Sequence, residues 1–390
     1  MSEKSKIVNL IVKAVQKVCG EGPVYLHEPS VSNLEHEFVG DCLKSTFVSS
    51  VGKYVDRFEQ EISEYTGAKH AVAVVNGTSA LHISLILKGV KKDDEVLVPG
   101  LTFAATANAI CFANAIPHFV DSEDETFGIC PKSLEVYLSE ICDIKNNTCV
   151  NSLTGRRISA IIPVHIFGHP CKIEELLTVA KKFNLEVIED AAESLGSFYK
   201  GKHTGTFGKL GTISFNGNKI ITAGGGGMII TDDEDLARRA KHLSTTAKIP
   251  HRWEYVHDQV GYNYRMPNLN AALGCAQLKR LSEFLQKKRM LFQKYSGQLD
   301  SVEGIRLFSE PTNCCSNYWL QTIVLDEGNL SLRDDILAAL NSSGLMSRPA
   351  WKGLHTLQHF KESPRMDMKV VNSLEKRIIN IPSSSFLNNN

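Results

Sequence analysis

Short apolar segments alternate with helical segments over residues 66–190, and this alternation restricts the fold more than any other feature. The apolar segments are HAVAVV (70–75), EVLVPG (95–100), IPHFVD (116–121), ISAIIPVHIFG (158–168) and LEVIED (185–190). Between them lie segments of helical length, such as TSALHISLILKGV (78–90). Strands that are apolar on both faces occur in parallel sheets covered by helices on each side. The pattern therefore predicts an α/β protein with a mostly parallel central sheet in an α/β/α sandwich.

The length of the chain predicts more than one domain. At 390 residues it exceeds the size at which a single hydrophobic core usually stops growing. We expect an amphipathic helical extension over residues 1–22 and a large ligand-binding domain over residues 23–265. A smaller α+β C-terminal domain is expected over residues 266–390, after a long helix that runs to about residue 298.

Composition excludes several classes of function. Lys and Arg together number 43, as do Asp and Glu, so the chain has no formal net charge. This balance argues against a nucleic-acid partner or a charged membrane surface. No run of 18 apolar residues is present, so no membrane span is expected. The ten cysteines form no Cys-x-x-Cys pair and no zinc-like spacing with histidine, which predicts no metal site and a cytoplasmic location.

The segment VNGTSALH (75–82) lies where a predicted strand ends and a predicted helix begins. Gly77, Thr78 and Ser79 offer backbone N–H groups and hydroxyls at the positive end of the helix dipole, which suits a phosphate. An ordinary helix N-cap is the alternative explanation for Thr or Ser at this point. The P-loop and the glycine motif of dinucleotide-binding folds are absent, which argues against a nicotinamide oxidoreductase.

Asp190 and Lys219 are the candidate catalytic residues. Asp190 closes the segment LEVIED, and Lys219 lies on a turn between Ser214 and the four glycines 224–227. An amine, a carboxylate for the ring nitrogen and phosphate donors are the groups that pyridoxal 5′-phosphate needs. Phe103 follows another strand and is placed to stack on the ring. The alternatives are a helix N-cap for the aspartate, a solvated loop for the lysine and core packing for the phenylalanine.

The chain resembles the DegT/StrS family of sugar aminotransferases, fold-type I pyridoxal-phosphate enzymes that act on nucleotide-linked keto sugars. The resemblance runs from about residue 23 to 385 and is carried by FVSSVGKYVDRFE, NGTSALH, VPGLTFAATANAI, PVHIFG, IEDAAESLG, ISFNGNK and GYNYRM. It implies that Lys219 binds the cofactor covalently and that Asp190 faces its ring nitrogen. The other residues for which the resemblance implies contact with the cofactor are Thr78, Ser79, Phe103, Glu193, Ser214 and Asn263. Gly77 is a further candidate, because of its place at the start of the predicted helix.

The same resemblance implies a homodimer with two shared active sites, because Asn263 matches a residue that reaches the phosphate in the neighbouring subunit. Two positions depart from the common pattern of the family. Glu193 stands where many members have Gln, and a carboxylate there must be protonated or paired with donors. Gly225 stands where members often have Glu, and it leaves room instead of an acid.

The substrate follows from finer resemblance. Lys219 favours aminotransfer over the sister dehydratases, which carry His at this position. The segments HEPSVSN and SRPAWKGLH resemble the LegC-type branch, which aminates C4 of a nucleotide-linked 4-keto-6-deoxy-N-acetylhexosamine for legionaminic-acid or bacillosamine-type sugars. L-glutamate is the expected donor, with Lys219 as general base, and Lys248, His251 and Trp351 are candidate substrate contacts. A sugar dehydratase and a non-catalytic protein on the same fold remain the alternatives.

Overall fold

The computed structural model describes residues 3–388 of the chain. Its α-helices are α1 (Glu3–Cys19), α2 (Asn33–Ser45), α3 (Lys53–Thr66), α4 (Gly77–Leu87), α5 (Ala104–Phe112), α6 (Pro131–Ile141), α7 (Ile173–Lys182), α8 (Glu234–Ser244), α9 (Asn268–Lys279), α10 (Leu281–Leu299), α11 (Arg333–Ser342) and α12 (Lys369–Arg377). Short 3₁₀ helices span Ile166–Gly168, Glu327–Leu332, Leu354–Thr356, Gln358–Phe360 and Ser385–Asn388.

The strands fall into one large sheet and several small ones. In chain order they are β1 (His70–Val74), β2 (Glu95–Pro99), β3 (Ile116–Val120), β4 (Cys142–Lys145), β5 (Thr148–Asn151), β6 (Ile158–Ile161), β7 (Glu186–Asp190), β8 (Phe198–Tyr199), β9 (Lys202–His203), β10 (Leu210–Ser214), β11 (Gly227–Thr231), β12 (Lys248–Ile249), β13 (Val256–His257), β14 (Ile305–Leu307), β15 (Cys314–Cys315), β16 (Gln321–Leu325), β17 (Arg348–Pro349) and β18 (Ile378–Ile381).

The large sheet has seven strands in the order β1-β11-β10-β7-β6-β2-β3. The pairs from β10 through β7, β6 and β2 to β3 are parallel, whereas β11 is antiparallel to both of its neighbours. The non-sequential order requires crossover connections, which the helices supply. The predicted mostly parallel sheet is confirmed.

Helices cover both faces of this sheet because its strands are apolar on each side. In β2, Val96 and Val98 belong to a buried cluster that includes Leu81 of α4 and Ala107 of α5. Leu97, which points to the opposite face, belongs to another cluster with residues of α6 and α7. The sheet is therefore the middle layer of an α/β/α sandwich, as the alternation of segments predicted.

A buried glutamate, Glu95, lies at the start of β2 and is held by side-chain donors. Its Oε2 is 2.8 Å from His118 Nδ1 and accepts a hydrogen bond of 2.8 Å from Asn151. Its Oε1 accepts a hydrogen bond of 2.6 Å from the Thr154 hydroxyl. Burial alone raises the pKa of Glu95, but these partners outweigh it and hold the pKa below its ordinary value.

The C-terminal part is built on a separate sheet, in the order β14-β16-β18-β17, whose paired strands are antiparallel. Helix α1 packs here, since Ile11 and Val15 share a cluster with Leu291 and Tyr295 of α10. Helix α9, by contrast, joins the cluster around Phe58 of α3. The predicted domain boundaries at residues 22 and 265 remain predictions.

Helices long and apolar enough to cross a membrane do not occur within residues 3–388.

Candidate active site

A cavity of about 370 Å³ lies at the carboxyl ends of β7 and β10. Ligands of parallel sheets bind at this edge. Most residues predicted from the sequence border the cavity, namely Gly77, Thr78, Phe103, Asp190, Glu193, Ser214, Lys219 and Trp351. The fold therefore brings the candidate amine, carboxylates, hydroxyls and aromatic rings to one place.

Helix α4 begins at the wall of the cavity, and its N-cap is Asn76. Asn76 Oδ1 accepts a hydrogen bond of 2.8 Å from the N–H of Ser79, so the N-cap explanation for Thr78 or Ser79 is wrong. The N–H groups of Gly77 and Thr78 lie in the first turn, where intrahelical acceptors are lacking. This end of the cavity suits a phosphate. Ser79 is not among the residues that border it.

Glycines permit close backbone approach at this end. A Cβ on Gly77 would lie 3.0 Å from the Cβ of Ser214. A Cβ on Gly227 would lie 2.4 Å from the carbonyl carbon of Asn76, because β11 passes directly beside it. At Gly225 the nearest atom to a Cβ is the carbonyl oxygen of Val75 at 4.0 Å, so this position does leave room.

Asp190 is buried at the end of β7 and is held by two donors. The Thr106 hydroxyl donates to Oδ2 at 2.8 Å, and the N–H of Ala192 donates to Oδ1 at 3.1 Å. Burial raises the pKa of Asp190, while these hydrogen bonds and the positive charge of Lys219 oppose the rise. Thr106 lies on α5, so a helix of another βα unit orients this carboxylate.

Glu193 and Lys219 face each other across the cavity. Lys219 Nζ is 3.3 Å from Glu193 Oε1, and the N–H of Phe167 donates to Oε2 at 2.9 Å. Burial raises the pKa of Glu193, and the charge of Lys219 opposes the rise. The requirement that a carboxylate here be paired with donors is thus met. Lys219 itself is 12% exposed and reaches the cavity rather than bulk water.

Trp319, which sequence reasoning missed, fixes the surroundings of the lysine. Lys219 Nζ lies 4.0 Å from the centroid of the Trp319 ring, a cation–π contact. The indole N–H donates to the carbonyl of Asn218 at 2.6 Å, and the Trp319 carbonyl accepts from the buried Lys288 at 2.7 Å. No motif marks this tryptophan, since it lies just before β16 of the C-terminal sheet, far along the chain from Lys219.

His165 is a second residue without a distinct signal in the sequence. Its backbone N–H donates to the carbonyl of Asp190 at 3.2 Å. Its ring lies between the N–H of Cys171, at 3.2 Å from Nδ1, and the carboxylate of Glu189, at 3.1 Å from Nε2. The buried histidine therefore supports the strand end that presents the aspartate.

Of four further residues predicted to contact the cofactor or the substrate, one borders the cavity and three lie outside its wall. Phe103 borders the cavity and is 56% exposed, which leaves its ring open to a ligand. Lys248 and His251 lie in and beside the β12–β13 hairpin, outside the cavity wall of this chain, where the lysine contacts the Tyr255 ring. Asn263 is exposed and also outside the wall.

The donor set of the cavity fits pyridoxal 5′-phosphate. The first turn of α4 and the Ser214 hydroxyl lie at one end, where a Cβ at position 77 would fill the space between them. Asp190 supplies a carboxylate for the ring nitrogen, and Lys219 supplies the amine.

Comparison with known proteins decides the family. The profile of the DegT/DnrJ/EryC1/StrS aminotransferase family matches residues 29–390. The chain belongs to this family. A crystal structure of a DegT/DnrJ/EryC1/StrS aminotransferase from Brucella abortus has a TM-score of 0.82 and 26% identity to it, over 91% of each chain.

Two GDP-perosamine synthases are similar to this DegT-family chain over most of their length. A GDP-perosamine synthase of Escherichia coli O157:H7 is 38% identical over 367 residues, which cover 94% of each protein. A GDP-perosamine synthase of Caulobacter vibrioides is 36% identical over 361 residues, which cover 92% of each protein. The protein is a pyridoxal-phosphate-dependent sugar aminotransferase with the fold of its family. The resemblance to the DegT/StrS family that the sequence showed is confirmed.

Proposed function

We propose that this enzyme moves the amino group of L-glutamate to C4 of a nucleotide-linked 4-keto-6-deoxy-N-acetylhexosamine. The product would feed the synthesis of legionaminic-acid or bacillosamine-type surface sugars. Support for a nucleotide-linked acceptor comes from the similarity to GDP-perosamine synthases. Support for the acetamido sugar comes from the resemblance of the HEPSVSN and SRPAWKGLH segments to the LegC-type branch. Parts of both segments, residues 27–28 and residues 348, 349 and 351, border a second cavity of about 620 Å³ that shares Asn218, Trp319 and Trp351 with the first cavity.

One observation carries the proposal: the amine of Lys219 and the carboxylates of Asp190 and Glu193 share a cavity of about 370 Å³. The amine reaches one carboxylate directly, at 3.3 Å, while the other is anchored by Thr106. An amine so placed can both accept and deliver a proton within a site that its neighbours shield from bulk water. This is the arrangement that amino-group transfer requires.

Each residue has a proposed role. Thr78 and Ser214 hold the cofactor phosphate, Phe103 covers its ring and Asp190 keeps the ring nitrogen protonated. When bound, the cofactor supplies a carbonyl that takes up the amino group and a ring that withdraws electrons. Lys219 removes the proton from the α-carbon of L-glutamate and later delivers a proton to the sugar carbon that receives nitrogen.

Glu193 orients the amine of Lys219. Glu193 Oε1 lies 3.3 Å from Lys219 Nζ, and Oε2 accepts a hydrogen bond from the backbone N–H of Phe167. The carboxylate therefore keeps the amine oriented toward the cavity between proton transfers. The face of the Trp319 ring contacts the amine as well and so restricts its position.

The homodimer is part of the proposal. The β12–β13 hairpin and its connections carry exposed apolar side chains, including Trp253 at 69% and Tyr255 at 81% exposure. Lys248 and His251 lie in the same segment and Asn263 follows it, so a second copy packed here would bring all three to its partner's cavity. Sedimentation equilibrium of the protein and of Tyr255→Glu tests this, with a monomeric wild type as the contradicting result.

The experiment that tests the function combines the purified enzyme, L-glutamate and either UDP- or GDP-4-keto-6-deoxy-N-acetylglucosamine. The expected product is the 4-amino sugar nucleotide, identified by mass and by NMR, with 2-oxoglutarate formed in equal amount. A deoxy-keto product would instead indicate a dehydratase. Lys219→Ala should lose at least about 10²–10⁴-fold in turnover because the proton-transfer group is gone. It should still bind the cofactor non-covalently, and turnover equal to wild type would refute the assignment.

A further inference from the structure

The amine of Lys219 is contacted by two groups from distant parts of the chain. Glu193 Oε1 lies 3.3 Å from Nζ, and the centroid of the Trp319 ring lies 4.0 Å from Nζ. Glu193 follows β7, whereas Trp319 precedes β16 of the C-terminal sheet. An amine transfers a proton only over hydrogen-bond distance, so the placement of these two contacts determines where Lys219 can act. A side chain that links the two would therefore control the position of the amine.

Asn317 links the backbones of Glu193 and Trp319. Its Nδ2 donates to the carbonyl of Glu193 at 2.8 Å and to the carbonyl of Leu195 at 2.9 Å. Its Oδ1 accepts a hydrogen bond of 2.8 Å from the N–H of Trp319. Asn317 is 1% exposed and borders neither cavity. Its influence on the site therefore passes through the residues that it holds.

The segment that fixes the carboxylate of Glu193 packs against the same asparagine. The N–H of Phe167 donates to Glu193 Oε2 at 2.9 Å. The next residue, Gly168, has a φ of +92°, and a Cβ on it would overlap Asn317 Oδ1. The Ser197 hydroxyl accepts from the N–H of Asn317 at 3.0 Å and donates to the carbonyl of Gly168 at 2.7 Å. Asn317 therefore supports both the backbone of Glu193 and the segment that holds its carboxylate.

These hydrogen bonds require an amide side chain. Both the donor and the acceptor group of the Asn317 amide are paired, as expected for a buried polar side chain. An ionised aspartate has the same shape but no donor, so it would keep the bond to Trp319 and lose those to the two carbonyls. Substitutions at this position can therefore separate the link to Trp319 from the link to Glu193.

We propose that Asn317 is a positioning residue for the amine of Lys219, because it fixes Glu193 and Trp319 relative to each other. The inference rests on the proposed function and deepens it, since it names the residue that keeps the surroundings of the proton-transfer group in place. Asn317 acts through these two residues and takes no part in proton transfer itself.

The first measurement uses the cofactor-free protein and does not depend on activity. The rate at which acetic anhydride acetylates Lys219 is determined by mass spectrometry, relative to the rate at the exposed Lys361. Loss of a contact such as that with the Trp319 ring should free the amine, so Asn317→Ala should accelerate the acetylation of Lys219 by about twofold to thirtyfold. Asn317→Asp should give a smaller increase, because it keeps the bond to Trp319.

The second measurement follows the reaction of the cofactor-loaded enzyme with L-glutamate by stopped-flow absorbance. Asn317→Ala should react more slowly than wild type by about twofold to thirtyfold. In a Trp319→Leu background the same substitution should have an effect that is smaller by at least about twofold, because changes within one network are not additive. A substitution that only loosens the fold would have the same effect in both backgrounds.

Asn151→Ala is the matched control. Asn151 is also 1% exposed, and its amide donates to Glu95 at 2.8 Å and accepts from the N–H of Leu153 at 3.0 Å. It borders neither cavity, so its loss should destabilise the fold and leave both rates at Lys219 unchanged. Ser197→Ala removes a single hydroxyl beside Asn317 and is the milder variant. It should change both rates in the same direction as Asn317→Ala, by a smaller factor.

The outcomes separate the inference from the proposed function. The inference is refuted if Asn317→Ala leaves the acetylation of Lys219 at the wild-type rate, or if Ser197→Ala does so when Asn317→Ala fails to fold. It is also refuted if Asn151→Ala changes the rates equally, because loss of stability then explains the effect. A wild-type enzyme whose cofactor absorbance does not respond to L-glutamate contradicts the proposed function, whatever the acetylation rates show.

Discussion

The hydrogen bond from Thr106 to Asp190 allows a quantitative test of how the site is assembled. Thr106→Val removes the hydroxyl but keeps the shape of the side chain. The lost bond is 2.8 Å long, buried, and accepted by a carboxylate. Hydrogen bonds to charged groups contribute about 1.5–3 kcal/mol, roughly twice the value for neutral pairs. We therefore expect the sheet around β7 to lose about 1.5–3 kcal/mol of stability.

A matched control lies on the neighbouring strand. Thr212 is also fully buried, but its hydroxyl donates to a neutral acceptor, the carbonyl of Glu189, at 3.2 Å. Thr212→Val should therefore cost only about 0.5–1.5 kcal/mol. The difference between the two variants isolates the charge of the acceptor from the loss of a buried hydroxyl.

The pH dependence of the effect has a definite sign. Burial raises the folded-state pKa of Asp190, and the Thr106 hydroxyl opposes the rise, so Thr106→Val raises this pKa further. When the pKa of a carboxyl is higher in the folded state than in the unfolded state, the folded state binds its proton more tightly. The free energy of unfolding therefore decreases as the pH rises through the folded-state pKa. The cost of Thr106→Val should accordingly be larger at about pH 8 than at about pH 5.

Native-state hydrogen exchange of the β7 and β10 amides measures the opening free energy of the sheet that holds both threonines. The cofactor-free protein is used for wild type, Thr106→Val and Thr212→Val. The reasoning fails if the two variants lose equal stability at both pH values. It also fails if the loss in Thr106→Val grows as the pH falls.

Three further outcomes follow from the packing. Gly227→Ala should lower the free energy of unfolding by about 1–3 kcal/mol, because its Cβ would lie 2.4 Å from the backbone of Asn76. Gly225→Ala should change it by no more than about 0.5 kcal/mol. Thermal unfolding compares the two variants, and equal losses of stability would contradict the close approach at Gly227. Trp319→Leu should slow the reaction with L-glutamate by about threefold to thirtyfold, because it removes the 4.0 Å contact with Lys219. Trp319→Phe should react at a rate between those of Trp319→Leu and wild type, as measured by stopped-flow absorbance. Glu95→Gln should be less stable than wild type at neutral pH but should lose less stability on acidification. The lowered pKa of Glu95 stabilises the folded state, and this stabilisation disappears as the pH falls through the folded-state pKa. Parallel acid-unfolding curves for the two proteins would contradict this.

The sheet was predictable because its signal is local. Strands β1, β2, β3, β6 and β7 of the large sheet are largely apolar on both faces, and hydrophobicity of this kind is visible in four to six consecutive residues. The antiparallel insertion of β11 was not predictable, since strand direction depends on which partners the chain meets in space. The same applies to α9, whose packing on α3 no periodicity reveals.

The site divides in a similar way. Asp190, Lys219 and Ser214 follow directly on strands or a rigid turn, so position in the sequence predicted their shared cavity. Trp319 and His165 act through backbone groups and a ring face, for which residue type carries little signal. The roles of the individual residues remain predictions until the variants above are measured.

The second cavity is built where the two ends of the chain meet. Val24 exchanges backbone hydrogen bonds with residues 344 and 346, at 2.8 and 2.9 Å, and the carbonyl of Leu26 accepts one from Ser383 at 2.7 Å. The groups that handle nitrogen, in contrast, come from the middle of the chain. Substitutions in these two regions can therefore reshape the second cavity together while Lys219, Asp190 and Glu193 keep their places. Chimaeras that exchange both ends between relatives would therefore change the walls of this cavity without changing the residues that surround Lys219.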